Sequence, residues 1–222
     1  MDSQALLLSF KLAGVTAALL LPIALIVART LAWRAFRGRF VVEALLALPL
    51  VLPPSVLGFY LLIALSPQSW LGRTFAAIFQ HSLAFSFNGL VLASLIANIP
   101  FAVQPMQRAF QAIDPQVREA AWLCGQSHWQ TFWRVELPLA WPGVVSALAL
   151  TIAHTLGEFG VVLMVGGNIP GETRTVAIAI YDRVQTLDNA AAGAMAAFLL
   201  GISLAAIAVV YALAEPGARR RG

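Results

Sequence analysis

Charge is scarce in this sequence: Asp, Glu, Lys and Arg together make up 11% of its 222 residues, whereas soluble domains carry about 25%. With 60% of the residues hydrophobic, a water-soluble fold has no economical way to cover its apolar bulk, and membrane spans are expected instead. Cysteine is scarcer still. The single thiol, Cys124, excludes an intrachain disulfide framework, and without a CxxC or His-rich cluster no metal site is expected. Cys124 reads as a small packing residue. Lysine also occurs once, as Lys11 in Phe10-Lys11-Leu12. A P-loop needs its lysine to reach nucleotide phosphates, and no GxxxxGK(S/T) is present, so the chain is not itself an ATPase. No Ser-His pair on adjacent spans, aspartate dyad or HExxH supports an intramembrane enzyme. Met1 to Ser9 lack a basic n-region, and the first apolar run is expected to be retained.

What is present is a set of long apolar runs. Five segments, centred on residues 5–28, 41–65, 88–107, 141–164 and 190–213, are long enough to cross a bilayer, which takes about 20 residues per helix. The expectation is an all-α membrane protein with about five transmembrane helices, in one transmembrane domain over residues 1–222. Arg29, Arg34, Arg37 and Arg39 follow the first run, Arg108, Arg118 and Arg134 follow the third, and Arg219, Arg220 and Arg221 end the chain. The alternate stretches hold only Arg73, Arg174 and Arg183. The positive-inside rule therefore puts the N-terminus outside and the C-terminus in the cytoplasm of a multi-pass membrane protein. Basic residues at span ends, without interleaved stacking aromatics, point to membrane lipid rather than nucleic acid. The mixed stretch Trp70 to Phe87 reads as a helix in the outer interface, since a sixth span there would break the charge bias. Pro49, Pro53 and Pro54 are expected to break the hydrogen-bond ladder of the second run and kink it. Small residues crowd the fifth and allow close helix packing.

The loop from Asp114 to Pro138 has readable helix ends. Asp114 is a good N-cap and Pro115 suits the first helical position. That helix runs to Cys124 and meets Gly125, suited to a left-handed C-terminal residue. Ser127 and Gln130 then form a capping box. The helix they open carries Trp129, Phe132 and Trp133, and Pro138 is expected to stop it. Two helices about a glycine corner make an L-shaped knob whose aromatic ridge needs a partner groove. Glu119-Ala120-Ala121, three residues, Gly125, nine residues and Val135-Glu136-Leu137-Pro138 resemble the EAA loop of ABC importer permeases, EAA-x3-G-x9-I-x-LP, with valine for isoleucine. The resemblance implies a type I ABC importer permease fold in the bacterial inner membrane, in which 114–138 is the cytoplasmic coupling-helix pair. Glu119, Ala120, Ala121, Gly125, Trp129, Phe132 and Pro138 would then couple to the ATPase. It further implies two copies of the permease, two nucleotide-binding subunits that hold the ATP and Mg, and a periplasmic or extracellular solute-binding protein. No cofactor is expected in this chain.

A second informative stretch lies after the fourth run. An unpaired acid at mid-bilayer costs about 3 kcal/mol, so Glu158 must face protein or water and have a partner. Gly157 and Gly160 flank it and allow backbone to approach closely or the helix to bend. Gly157-Glu158-Phe159-Gly160 and Asn168-Ile169-Pro170-Gly171-Glu172-Thr173-Arg174-Thr175 resemble the GEFG and NIPGETRT signatures of molybdate-type permeases. Related sulfate permeases share the first signature. The resemblance makes Gly157, Glu158, Phe159, Gly160 and Arg174 candidates for the gate or pathway. For Glu158 a structural acid holding helices together is the alternative, and for Arg174 a simple loop charge. His154, one turn before Glu158, departs from the arginine of relatives and pairs with Glu158 as a proton-linked pair or a buried hydrogen bond, two ligands being too few for a metal. Molybdate import is the leading expectation, with sulfate, thiosulfate or tungstate as alternatives and an ion-coupled carrier as the remote one. A carrier should show several intramembrane ionisable residues or a repeat.

Overall fold

Caps and prolines set where each apolar run begins and ends in the computed structural model, which describes residues 2–214. The Arg219, Arg220 and Arg221 tail, and with it the C-terminal part of the charge argument, lies outside the described residues. Helix α1 (Ser3–Trp33) starts at Asp2, whose carboxylate accepts the Ala5 N–H at 3.0 Å. Its 31 residues reach about 46 Å at 1.5 Å per residue. That exceeds a bilayer core of about 30 Å, so the end carrying Arg29 and Trp33 emerges from the apolar slab.

The second apolar run is two helices rather than one kinked helix. Helix α2 (Arg39–Val51) and α3 (Pro54–Leu65) meet at 111°. Pro49 stays inside α2, whereas adjacent Pro53 and Pro54 remove two consecutive donors and Pro54 restarts the helix at its first turn,. None of the side chains of α2 is buried within this chain. A polar latch holds it: Glu43 accepts from Arg39 of its own helix at 3.0 Å and from Gln107 at 2.8 Å. Helix α4 (Trp70–Phe79), capped by Ser69, has 10 residues and reaches about 15 Å, too short to cross, as the interfacial reading of this stretch requires.

Helix α5 (Phe87–Gln111) is the centre, with 61% of its apolar window buried. Phe110, Met106 and Val103 from α5 close over Leu20, Ala24, Ala28 and Leu31 from α1 and Ala140 and Ala147 from α8. Beyond α5 come α6 (Pro115–Leu123), α7 (His128–Thr131), a π turn (Phe132–Glu136), α8 (Leu137–Gly157), α9 (Gly160–Gly166), α10 (Val176–Gln185) and α11 (Asn189–Ala214). From His128 to Gly157 the helix is continuous over 30 residues. Pro138 does not stop it. The Leu137 N–H bonds back to Phe132 in a five-residue π step, and the wider register at the start of α8 accommodates the proline's missing donor and ring,. The fourth run also ends earlier than its apolar extent to 164. The helix breaks at Glu158, which is extended (φ −67°, ψ 123°), and α9 is a separate short piece. Helix α11 is the most peripheral span, with 6% of its window buried. Four unbroken helices and the bent pair thus supply up to five spans.

Candidate functional site

Local chemistry shapes the loop end of the bundle as the sequence suggests. The Asp114 carboxylate accepts the Gln116 N–H at 2.9 Å, and Pro115 opens α6. At the other end Gly125 takes φ +81°. The Gln126 N–H reaches the Ala121 carbonyl at 3.1 Å and the Gly125 N–H reaches Trp122 at 2.9 Å, a Schellman closure that only a residue at ease in the left-handed region completes without strain. Ser127 and Gln130 exchange both bonds of the capping box, at 3.2 and 2.9 Å. The result is the expected pair of short helices, α6 and α7, joined at Gly125.

Its surface differs from the sequence reading in two places. Leu123 and Trp129 are 89% and 68% exposed, and Trp133 is half exposed. Glu119 and Ala120 are exposed too, while Ala121 is buried. Phe132, however, is buried in the main core against the α1 side chains. The π turn swings it inward, so it anchors the knob and is no part of the ridge. Cys124 is exposed rather than packed, because it is the C-cap residue of α6.

Beneath the knob is an ion cluster that sequence reasoning missed. Glu136, fully buried, accepts from Arg118 Nε at 2.9 Å and from Arg29 through both Nε and Nη2, the latter at 3.2 Å. The Arg118 guanidinium lies over the Trp33 ring at 4.0 Å and the Trp122 ring at 5.0 Å. One carboxylate therefore ties α6 and α1 to the root of α8. A buried charge needs this pairing to persist. The available signal was an acid standing at the threshold of an apolar run with arginines at neighbouring span ends. The partners lie 107 and 18 residues away, beyond any local pattern.

At the opposite end of α8, Glu158 finds its partners. One carboxylate oxygen accepts the Val161 N–H at 3.0 Å and satisfies a free donor in the first turn of α9,. The other is 3.4 Å from His154 Nε2. His154 stacks on Phe101, with centroids 4.0 Å apart, and its Nδ1 lies 3.1 Å from Asn98 Oδ1. Asn98 belongs to α5 and is fully buried, so the chain of polar groups links α5, α8 and α9.

The two flanking glycines do different jobs. A Cβ on Gly160 would stand 2.7 Å from Pro54 Cβ, whereas one on Gly157 would meet nothing within 4 Å. Close approach therefore requires glycine at 160 only. Gly58 answers from the other side, where a Cβ would stand 2.8 Å from Met164 Cβ and 3.1 Å from the Val161 backbone. Helices α3 and α9 are locked face to face by these two glycines, and the Pro53-Pro54 break meets the Glu158 break. Phe159 rests against Tyr181 of α10 at 5.0 Å. Arg174 is not an unpaired cation. It donates to Asn168 at 2.6 Å and sits 3.5 Å from Asp182, which Asn168 also clasps. It braces the 168–175 turn, whose Gly171 is left-handed at φ +79°. Among the described residues no three His, Cys, Asp or Glu side chains gather as a metal site would require.

Comparisons with known proteins give the setting for this geometry. Residues 20–220 match the family model described as "Binding-protein-dependent transport system inner membrane component". A molybdenum transport system permease protein of Azotobacter vinelandii is 44% identical over 212 residues, covering 96% of this chain and 92% of the relative. Its counterpart in Escherichia coli K12 is 35% identical, covering 93% and 90%. A sulfate transport system permease protein of Synechocystis is 34% identical over 83% of this chain but only 64% of its own length. Among solved structures, a bacterial alginate ABC transporter in complex with its alginate-bound periplasmic protein superposes with a TM-score of 0.72, at 18% identity, over 95% of this chain and 76% of the other.

Proposed function

Since the chain belongs to the family of binding-protein-dependent transport system inner membrane components, we propose that it is the permease subunit of an ABC importer whose cargo is molybdate. The 44% identity to a molybdenum permease over nearly both full lengths carries the cargo assignment. Sulfate permeases match at lower identity and cover less of their own length. Sulfate, thiosulfate and tungstate are the alternatives. The chain performs no chemistry. ATP and Mg belong to two copies of a separate nucleotide-binding subunit, and an external solute-binding protein delivers the anion.

The exposed Leu123 and Trp129 on the L-shaped knob are the observation behind the docking role. Large apolar side chains standing in water at the end of a rigid pair of helices call for a groove on a partner. Glu119, Ala120 and Gly125 shape that surface, Ala121 and Phe132 seat it on the bundle, and Pro138 lies where the knob joins the span. In the positive-inside orientation the knob faces the cytoplasm and the N-terminus lies outside. The uncovered apolar side chains of α2, among them Phe40 at 75% and Val51 at 79% exposed, are suited to a second copy of the chain and to lipid, because five spans are few for a complete pathway.

Transport then proceeds by alternating access. Closure of the ATPase pair draws the two knobs together, the Arg29–Glu136–Arg118 cluster carries that displacement into α1 and α8, and the α3–α9 unit moves at the outer end. Gly157, Glu158, Phe159 and Gly160 form the gate of that unit, with Glu158 holding α8 and α9 in register. Arg174 braces the adjoining turn. The complex, reconstituted with its ATPase and a binding protein loaded with either molybdate or sulfate, tests the reading. Stimulation of ATP hydrolysis by the molybdate-loaded protein is expected, and stimulation by sulfate alone overturns the cargo assignment.

A further inference from the structure

Between α1 and the knob lies a cavity of about 290 Å3 lined by Arg29, Thr30, Trp33, Arg34, Arg118 and His128. Three arginines line it, and two of them, Arg29 and Arg118, share the one carboxylate of Glu136. Arginine charge therefore exceeds carboxylate charge by two. Among the described residues Arg34 has no carboxylate within ion-pair distance and no side-chain acceptor, and Arg118 spends only its Nε, leaving both terminal amino groups without one. The Trp33 indole N–H is buried with no acceptor at all. An unmatched buried donor costs free energy; the Trp33 N–H is one, and the exposed Arg34 and the free amino groups of Arg118 line the same cavity, a donor set that an acceptor-rich anion complements. Arginine forks suit tetrahedral oxyanions through paired N–H groups.

We propose that this cavity binds a phosphate-class tetrahedral oxyanion, presented either by the headgroup of an anionic phospholipid or as a free ion. The site stands apart from the α8–α9 gate. It reaches the coupling cluster directly, so an occupant that engages Arg118 competes with or reinforces its bond to Glu136 and adjusts how firmly the knob is held. The choice of source rests on the cytoplasmic orientation proposed above, in which the cavity faces the inner leaflet and its anionic lipids; the cavity and its unmatched donors do not.

Two arms separate the sources. In the first, native mass spectrometry of the full-length chain in detergent counts phosphatidylglycerol against phosphatidylcholine adducts. In the second, thermal unfolding in phosphatidylcholine nanodiscs is followed with inorganic phosphate against chloride at equal ionic strength. Arg34→Gln is the diagnostic variant because Arg34 is exposed and supports nothing else in the fold; Arg34→Lys keeps the charge. A lipid site shows a phosphatidylglycerol preference that drops about fivefold in R34Q, the weight of roughly 1 kcal/mol per surface arginine, and recovers largely in R34K. A free-ion site shows a phosphate-dependent rise in unfolding temperature that R34Q loses. No lipid preference together with no phosphate shift, or responses equal in wild type and R34Q, overturns the proposal. Failure of the molybdate assay above with either arm positive would leave this site standing.

Discussion

Replacing Glu136 with alanine strands two guanidinium groups that the carboxylate now holds, and the structure sets how costly that is. Hydrogen bonds to charged groups contribute roughly 1.5–3 kcal/mol each, and breaking a buried pair by deleting one partner costs about 3–5 kcal/mol. Glu136 is 0% exposed, Arg118 15% and Arg29 33% by side chain. Arg29 can turn toward water, whereas Arg118 is held between two indole rings. The loss for Glu136→Ala should therefore fall near the lower end, about 3 kcal/mol. The same exposures order the series: Glu136→Ala worst, Arg118→Met next, Arg29→Met mildest. At about 2–4 °C per kcal/mol for a chain of this size, the full-length protein in detergent should unfold roughly 6–12 °C lower in E136A. A triple variant with Leu at 136 and Met at 29 and 118 removes every charge and should regain much of the stability, as apolar replacements of buried ion clusters often do. ATP-driven uptake in proteoliposomes should nevertheless stay low in the triple variant, because the tie between α6 and α1 is gone. Wild-type unfolding and uptake in E136A would refute the reasoning, and full uptake by a stable triple variant would refute the transmission role alone.

Three further outcomes follow from single contacts. Gly125→Ala meets no neighbour but must hold φ +81°, which costs about 1–2 kcal/mol; ATPase stimulation should weaken, and Gly125→Asn should be milder. Gly160→Ala forces Pro54 away and should cost about 1–3 kcal/mol with loss of uptake, while Gly157→Ala, with open space, should unfold at or above the wild-type temperature. Leu123→Ala and Trp129→Ala, both on exposed side chains, should change stability by no more than about 0.5 kcal/mol yet weaken copurification with the ATPase by about 2 kcal/mol or more, as central interface residues do; unchanged copurification removes them from the docking surface.

The parts that sequence revealed are those whose cause is local. Asp114, Gly125 and Ser127 with Gln130 act within a few residues of themselves, so the pair of short helices could be read from spacing alone. Long apolar runs likewise announce spans, because the bilayer imposes their length. Pro138 misled because a π step absorbs a proline that an α-helical ladder would reject, and the step begins at Phe132, which is buried against α1. Hydropathy carried the fourth span past Glu158 because Val161, Val162 and Val165 are as apolar in a short separate helix as in a long one. The Glu136 cluster and the Gly160–Pro54 and Gly58–Val161 contacts join residues remote in sequence. No periodicity encodes them, and folding had to bring them together before their logic was visible.

The unbroken helix from His128 to Gly157 makes the second helix of the knob and the span a single rod. In the docking role proposed above, a push on Trp129 travels along one continuous helix, through the π turn and past Pro142, to Glu158, where the rod ends against α9. Along its length the π turn at Phe132–Glu136 holds one residue more than an α-helix would and includes the carboxylate that fixes the rod to its neighbours. In the alternating-access reading proposed above, displacement and its adjustment point share one piece of chain, and the register of a single helical turn bears on the stroke delivered to the outer end.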